Sequence, residues 1–243
     1  EPIPAALVGF TAISVVALLG LVGNSKESVN WALSGFSNSV IWLIFAAFMF
    51  AAGYKKTGLG RRVSLIMVKY MGKSTLGLGY AVAFSDLVLA PFMPSNTARS
   101  AGTIYPIAIN IPQIFNSLPD NDPRKIGSYI SWVAIASTSV TSSMFLTALA
   151  PNLLAVDLIA KGTGHAITWM EWAKIMLPLM IPLFILTPWL TYVIYPPTQK
   201  KSPEAPAWAT EELKKLGSIT FKEYLMAGLA TVALVLWIFG KEL

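Results

Sequence analysis

Residues 89–106 read LAPFMPSNTARSAGTIYP. The stretch runs apolar, meets Pro91 and Pro94, offers Ser95, Asn96, Thr97 and the cation Arg99, and turns apolar again. Proline removes a backbone donor and its ring clashes with the preceding helical turn, so the pair predicts a break. Such a break leaves the first N–H groups of the next helix without partners, and helix N-termini favour anions. Ser95, Asn96 and Thr97 add side chains that can donate to a carboxylate, and Asn96 or Thr97 can cap the helix that follows. An arginine at the centre of a bilayer costs about 2.5–3.5 kcal/mol on insertion scales, so Arg99 needs a partner. Capping plus an internal salt bridge is the plainer reading. An anion site is favoured because break, donors and cation fall within five residues, 95 to 99.

The surroundings say that the solvent is lipid. The 243 residues are 55% hydrophobic and 12% charged, with a mean hydropathy of +0.61; soluble domains carry about 25% charged residues. Several apolar runs approach the ~17–25 residues that cross a bilayer, which predicts an all-α, multi-pass membrane protein. The net charge of +6 is no sign of nucleic acid, because the basic residues sit mostly in short loops, where they set orientation. With no cysteine and a single histidine, His165, neither a thiolate nor a zinc constellation is available. No cofactor is implied.

Working outward, residues 76–94 and 98–111 are two arms around the break, neither a comfortable span alone. Lys55, Lys56, Arg61, Arg62, Lys69 and Lys73 precede them without an acidic residue, and Arg124 and Lys125 follow. Both ends therefore read as cytoplasmic, and 76–111 reads as a re-entrant helical hairpin with its tip near 94–97. Backbone of that kind is tolerated in a membrane only when shielded by protein or lining a wet cavity. Asp86, in the first arm, is a carboxylate in apolar surroundings, a type uncommon in membranes and often functional; the plainer reading is a structural ion pair or a residue near the cytoplasmic mouth. Residues 128–161 read as a broken transmembrane helix. Ser142, Ser143, Thr147 and Asn152 gather at its Pro151 break, where they can bind substrate or simply join helices.

Spans are expected at 4–22, 39–53, 172–195 (kinked at Pro178, Pro182 and Pro188) and 224–239. A loop is expected at 24–38, and an amphipathic surface helix around 63–71. A second surface helix, at 209–216, pairs Glu211 with Lys215. The segments are 1–75, scaffold-type helices plus the cytoplasmic amphipathic helix; 76–161, transport-type; 162–197, a transmembrane helix; 198–223, a cytoplasmic linker; and 224–243, the start of a second repeat. GKST at 72–75 lacks the glycine that a phosphate loop needs five residues earlier, where Met67 stands. His165 and Glu171 read as a solvated loop. No nucleophile–base pair is visible.

PSNTAR in a hairpin, followed by a serine-rich broken helix ending APN, resembles the divalent anion:sodium symporter (DASS) family. SGFSNSVIWLIFAAFMFAAGYKKTGLGRR and WLTYVIYPP resemble its bacterial citrate/succinate and tartrate/succinate antiporter branch. The resemblance covers essentially the whole chain. It implies a bacterial inner-membrane secondary transporter, built from two inverted repeats and moving as an elevator. It further implies that the full-length protein is a homodimer and that this chain is a fragment holding one repeat, or a truncated product. Di- or tricarboxylates would bind at Ser95, Asn96, Thr97 and Arg99, with Ser142, Ser143, Thr147 and Asn152 contributing from the broken helix. A sodium-coupled symporter is the alternative, with Ser95 and Asn96 serving the ion. Many sodium-coupled members carry a serine where this chain has Pro91, which argues against that site. Arg99 is then expected to stand in for sodium as an uncompensated buried charge that only bound dicarboxylate neutralises. Citrate or tartrate would exchange for succinate or another four-carbon dicarboxylate.

Overall fold

The structure is a computed structural model that describes residues 3–239. The outermost parts of the expected first and last segments, 1–2 and 240–243, lie outside the described residues. The described residues are mainly helical and contain no strand, only two isolated bridges. Among the described residues, four helical stretches are long and apolar enough to cross a membrane: Ser39–Thr57, Thr75–Phe92, Trp169–Ile194 and Phe221–Phe239. The chain divides into two compact units, Glu1–Ala46 and Ala47–Leu243.

In the first unit, α1 (Ala5–Leu19) packs on α2 (Ser25–Leu33). The expected loop at 24–38 is therefore largely helical, with a 3-10 turn at Ser34–Ser37 following α2. Asn24 and Glu27 cap each other's backbone N–H groups reciprocally, which satisfies donors that a helix start otherwise leaves bare. Gly20, at φ 66°, ends α1 in the left-handed conformation that glycine adopts without strain.

The second unit holds the site. It takes in most of α3 (Ser39–Thr57), then α4 (Leu59–Met71) and α5 (Thr75–Leu89). After a non-helical crossing the chain forms a π-helix (Thr97–Ile104), α6 (Tyr105–Ala108) and α7 (Asn110–Ile114). There follow α8 (Gly127–Met144), α9 (Ala150–Thr163), α10 (Trp169–Ile194), α11 (Glu204–Leu216) and α12 (Phe221–Phe239). Helices α5, α8 and α10 pack together. The α5–α8 approach depends on Gly79, where a Cβ would sit 2.1 Å from the Tyr129 hydroxyl. The three prolines of α10 lie inside a continuous helix. Hydroxyls from Tyr80 and Tyr129 donate to its Ile185 and Pro188 carbonyls (2.7 and 3.2 Å).

Helix α4 is more than a surface helix. Leu65 and Val68 are fully buried, and the helix packs against α5 and α11, so protein covers its apolar face. Helix α11 starts at Glu204, earlier than expected, because Ala205 and Ala209 are buried there. The acid that pairs is Glu212 rather than Glu211: it lies 2.6 Å from Lys215 and 2.7 Å from Arg61. Two cations on that face hold its carboxyl below the usual carboxylate range, chiefly through the Lys215 hydrogen bond.

An extended strap, 198–202, closes one end. Thr198 and Gln199 donate to the carbonyls of Arg124 and Lys125, just ahead of α8. Ser202 donates to Lys73, and Thr75 donates to Lys200, at the start of α5. The strap thus holds the start of α5 beside the start of α8. The chain between them runs out along α5 and returns through the π-helix, α6 and α7 as a helical hairpin. Ser74 of the GKST stretch caps α5.

Candidate functional site: two facing breaks

Helix α5 loosens into a tight turn at Ala90–Phe92, and Met93 is extended. The return arm starts as a π-helix, a form concentrated at functional sites. Pro106, lying just beyond it, cannot donate to Gly102. The second break follows α8. Phe145 and Leu149 are extended around a single turn at Leu146–Ala148 before α9 begins.

The two breaks are laced together. The N–H of Ala150 donates to the Pro94 carbonyl (2.9 Å), and the Thr147 hydroxyl donates to the Pro91 carbonyl (2.7 Å). Asn152 reaches back across its own break and donates to the carbonyls of Ser142 and Phe145 (2.8 and 3.3 Å). It thereby serves carbonyls that a helix end leaves without intrahelical donors. Trp169 Nε1 donates to Thr147 Oγ1, and Trp172 Nε1 to the Ser143 carbonyl (3.3 and 3.1 Å).

Arg99 is the centre of this lacing and is 0% exposed. Its Nε donates to Asp86 Oδ1 (3.0 Å). Its Nη1 donates to the carbonyls of Met93 and Ala148 (2.9 and 3.0 Å), one from each break. Its Nη2 donates to Asn96 Oδ1 (3.1 Å), with the hydroxyls of Thr138, Thr141 and Ser142 at 3.3–3.4 Å. Asp86 is equally occupied: besides Arg99, it accepts from Ser100, Thr138 and Thr141. Ser142 donates to Asn96 Oδ1 (2.6 Å) and to the Thr138 carbonyl.

This overturns the expectation that Arg99 is an uncompensated charge awaiting cargo. Asp86 is its resident counter-ion, and its donors are directed at protein oxygens. Asp86 on α5 and Arg99 on the return arm come face to face across the break. Nor do Asn96 and Thr97 cap the return arm. The nearest cap is Ser95, whose Oγ accepts from the Ala98 N–H (3.3 Å).

The eight candidate residues thus separate. Asn96, Arg99 and Ser142 meet in the interior, Thr147 and Asn152 stitch the second break, and Ser143 contributes its carbonyl. Ser95 and Thr97 instead line a cavity of about 510 Å³, together with Phe48, Ala51, Lys55 and Ala101 among others. Lys55 is a wall residue that sequence reasoning missed, having read it only as an orientation signal. No pattern in the sequence alone relates the end of α3 to the hairpin tip.

A family model described as "Sodium:sulfate symporter transmembrane region" matches residues 1–243. Among curated proteins, L-tartrate/succinate antiporters of Escherichia coli and Shigella flexneri are each 52% identical over 256 residues, covering 100% of this chain and 53% of the relative. One from Shigella boydii is 51% identical with the same coverage. The chain spans about half the length of the curated relatives it matches. Four apolar helices and bacterial antiporter relatives agree on a multi-pass protein of the bacterial inner membrane. Matched from end to end by the family model, and at half its positions by these transporters, the chain belongs to the divalent anion:sodium symporter family.

Proposed function

We propose that the protein is a secondary active antiporter that exchanges tartrate or citrate for succinate or another four-carbon dicarboxylate, works as a homodimer, and does no covalent chemistry on its cargo. The hairpin is re-entrant in this reading, with its strap-bound base cytoplasmic. Ser95 and Thr97 meet the substrate carboxylate, and Asn96 and Ser142 brace them from behind. The observation that carries the reading is the tip itself: two hydroxyl side chains at a helix start, on the wall of a cavity of about 510 Å³, where a helix N-terminus favours an anion. The 52% identity to L-tartrate/succinate antiporters supports the substrate class.

Sodium fits this half-site poorly. An ion at the breaks would draw on carbonyls and side-chain oxygens there. The Met93 and Ala148 carbonyls and Asn96 Oδ1 already accept from Arg99, and the Pro91 carbonyl accepts from Thr147. The guanidinium does the structural work of a bound cation, with Asp86 balancing its charge. Obligate exchange then has another origin. An empty tip crossing a dry barrier carries unsatisfied donors, and a loaded one does not.

Counterflow in proteoliposomes tests the reading. External tartrate or citrate is expected to accelerate release of preloaded succinate without a sodium gradient. Uptake that requires sodium and needs no internal dicarboxylate would reject it in favour of the symporter.

A further inference from the structure

If Arg99 is committed to protein oxygens, the positive charge that a dianion needs must come from elsewhere. The tip cavity shares two wall residues, Lys55 and Gly102, with a second cavity of about 380 Å³. The second cavity runs along the return arm past Thr103, Pro106 and Asn110 and is flanked by Arg61 and Trp208. Of the two cations lining these spaces, Arg61 pairs with Glu212 at 2.7 Å. Lys55 is exposed and makes no ion pair or hydrogen bond among the described residues. No acidic residue lines either cavity. An unpaired ammonium on a four-carbon stem, on a wall common to two clefts that hold no acidic residue, raises the local concentration of anions.

We propose that Lys55, rather than Arg99, is the cation that draws a dicarboxylate to Ser95 and Thr97 and sets its apparent affinity. The proposal rests on the antiporter reading above and assigns Lys55 to the wall of that site. The ammonium acts through charge, with no fixed bond geometry, so arginine should replace it and a neutral side chain should not. It also sits at the approach to the tip rather than among the buried contacts, so KM should respond and kcat should not.

The test is exchange of radiolabelled succinate by the complete protein in proteoliposomes. Lys55→Gln is expected to raise KM about tenfold at low salt, within the range that a charged cleft contributes, with kcat held within about twofold. Lys55→Arg should bring KM back to within about twofold of the parent. The gap between parent and Lys55→Gln should narrow as ionic strength rises. A second arm reads charge on a single folded protein. Lys55→Cys is made in a cysteine-free background and labelled with a cationic or an anionic methanethiosulfonate. The cationic label should restore KM, the anionic label should raise it further, and saturating succinate should slow both reactions. Lys55→Gln and both labelled forms at the parental KM would overturn the role of Lys55. If Ser95→Ala and Thr97→Ala still weaken succinate in that case, the tip reading stands without it. If they also leave KM unchanged, the tip reading fails as well.

Discussion

Two of the four arginines are buried, Arg62 and Arg99, and they are built alike. Each guanidinium holds one carboxylate and two backbone carbonyls. Arg62 takes Glu223 through both carboxylate oxygens (2.6 and 3.2 Å) and the carbonyls of Gly217 and Ser218 (3.0 and 3.3 Å). Arg99 takes Asp86 and the carbonyls of Met93 and Ala148. The surroundings separate them. The partners of Arg62 are the loop and first turn of α12, where Thr220 also donates to Glu223 through its N–H and its hydroxyl (2.8 and 3.0 Å). The partners of Arg99 are the two breaks themselves, with its side chain 0% and that of Asp86 3% exposed. The lesson is that a buried cation beside polar groups is not thereby a binding site. What decides is whether its donors already have acceptors, and by that measure both arginines are fasteners while Lys55 is not.

The comparison breaks first at Arg99. Arg99→Met leaves the buried Asp86 carboxylate with hydroxyl donors alone, from Ser100, Thr138 and Thr141, and takes the donor from the Met93 and Ala148 carbonyls of both breaks; it is expected to cost about 3–5 kcal/mol. The loss should show as a large fall in the melting temperature of the detergent-purified protein, with exchange abolished. Asp86→Asn should destabilise in the same direction without tightening succinate binding. A well-folded Asp86→Asn protein with tighter succinate binding would return Arg99 to the cargo site.

Arg62→Met sharpens the contrast with a smaller effect. Glu223 keeps its Thr220 donors, so about 2 kcal/mol is expected, the scale of hydrogen bonds to a charged group. Melting temperature should fall while the KM for succinate holds. A fall as large as that of Arg99→Met would mean that the two fasteners differ in position only.

The smallest effect belongs to the exposed Arg61–Glu212–Lys215 cluster. Glu212→Gln should shift the melting temperature by about one degree or less. The folded-state pKa of Glu212 lies below its ordinary value. Its contribution is therefore present above the ordinary glutamate range and is lost as pH falls through the lowered value. Melting curves taken from neutral pH down past about pH 4 should lose a little of their acid slope in Glu212→Gln.

Much was legible in the residues. Apolar runs and their lengths gave the long helices at Ser39–Thr57, Trp169–Ile194 and Phe221–Phe239 but overcounted at 4–22, where α1 has 15 residues, and undercounted at Thr75–Phe92, which is long enough to cross. Pro91, Pro94 and Pro151 gave both breaks, and PSNTAR with APN pointed to the family. These are local signals, because a proline breaks a helix wherever it stands and lipid demands long apolar runs whatever packs beside them. The misses share a cause. Glu212 took the place of Glu211 because α11 turns that face toward Arg61. Helix α4 lost its surface because α5 and α11 cover it. Arg99 lost its role as a free charge because Asp86 comes opposite it on the other arm.

By itself, then, the sequence determined a polytopic helical protein, interrupted at two places rich in small polar side chains, with one cation at the tip. Only the tertiary structure decided which oxygens that cation meets, and that Lys55 stands at the wall of the open space. Charge along a chain is additive and can be read in order. The partner of a buried charge is fixed by which segments the fold brings within about 3 Å, and no local pattern carries that information.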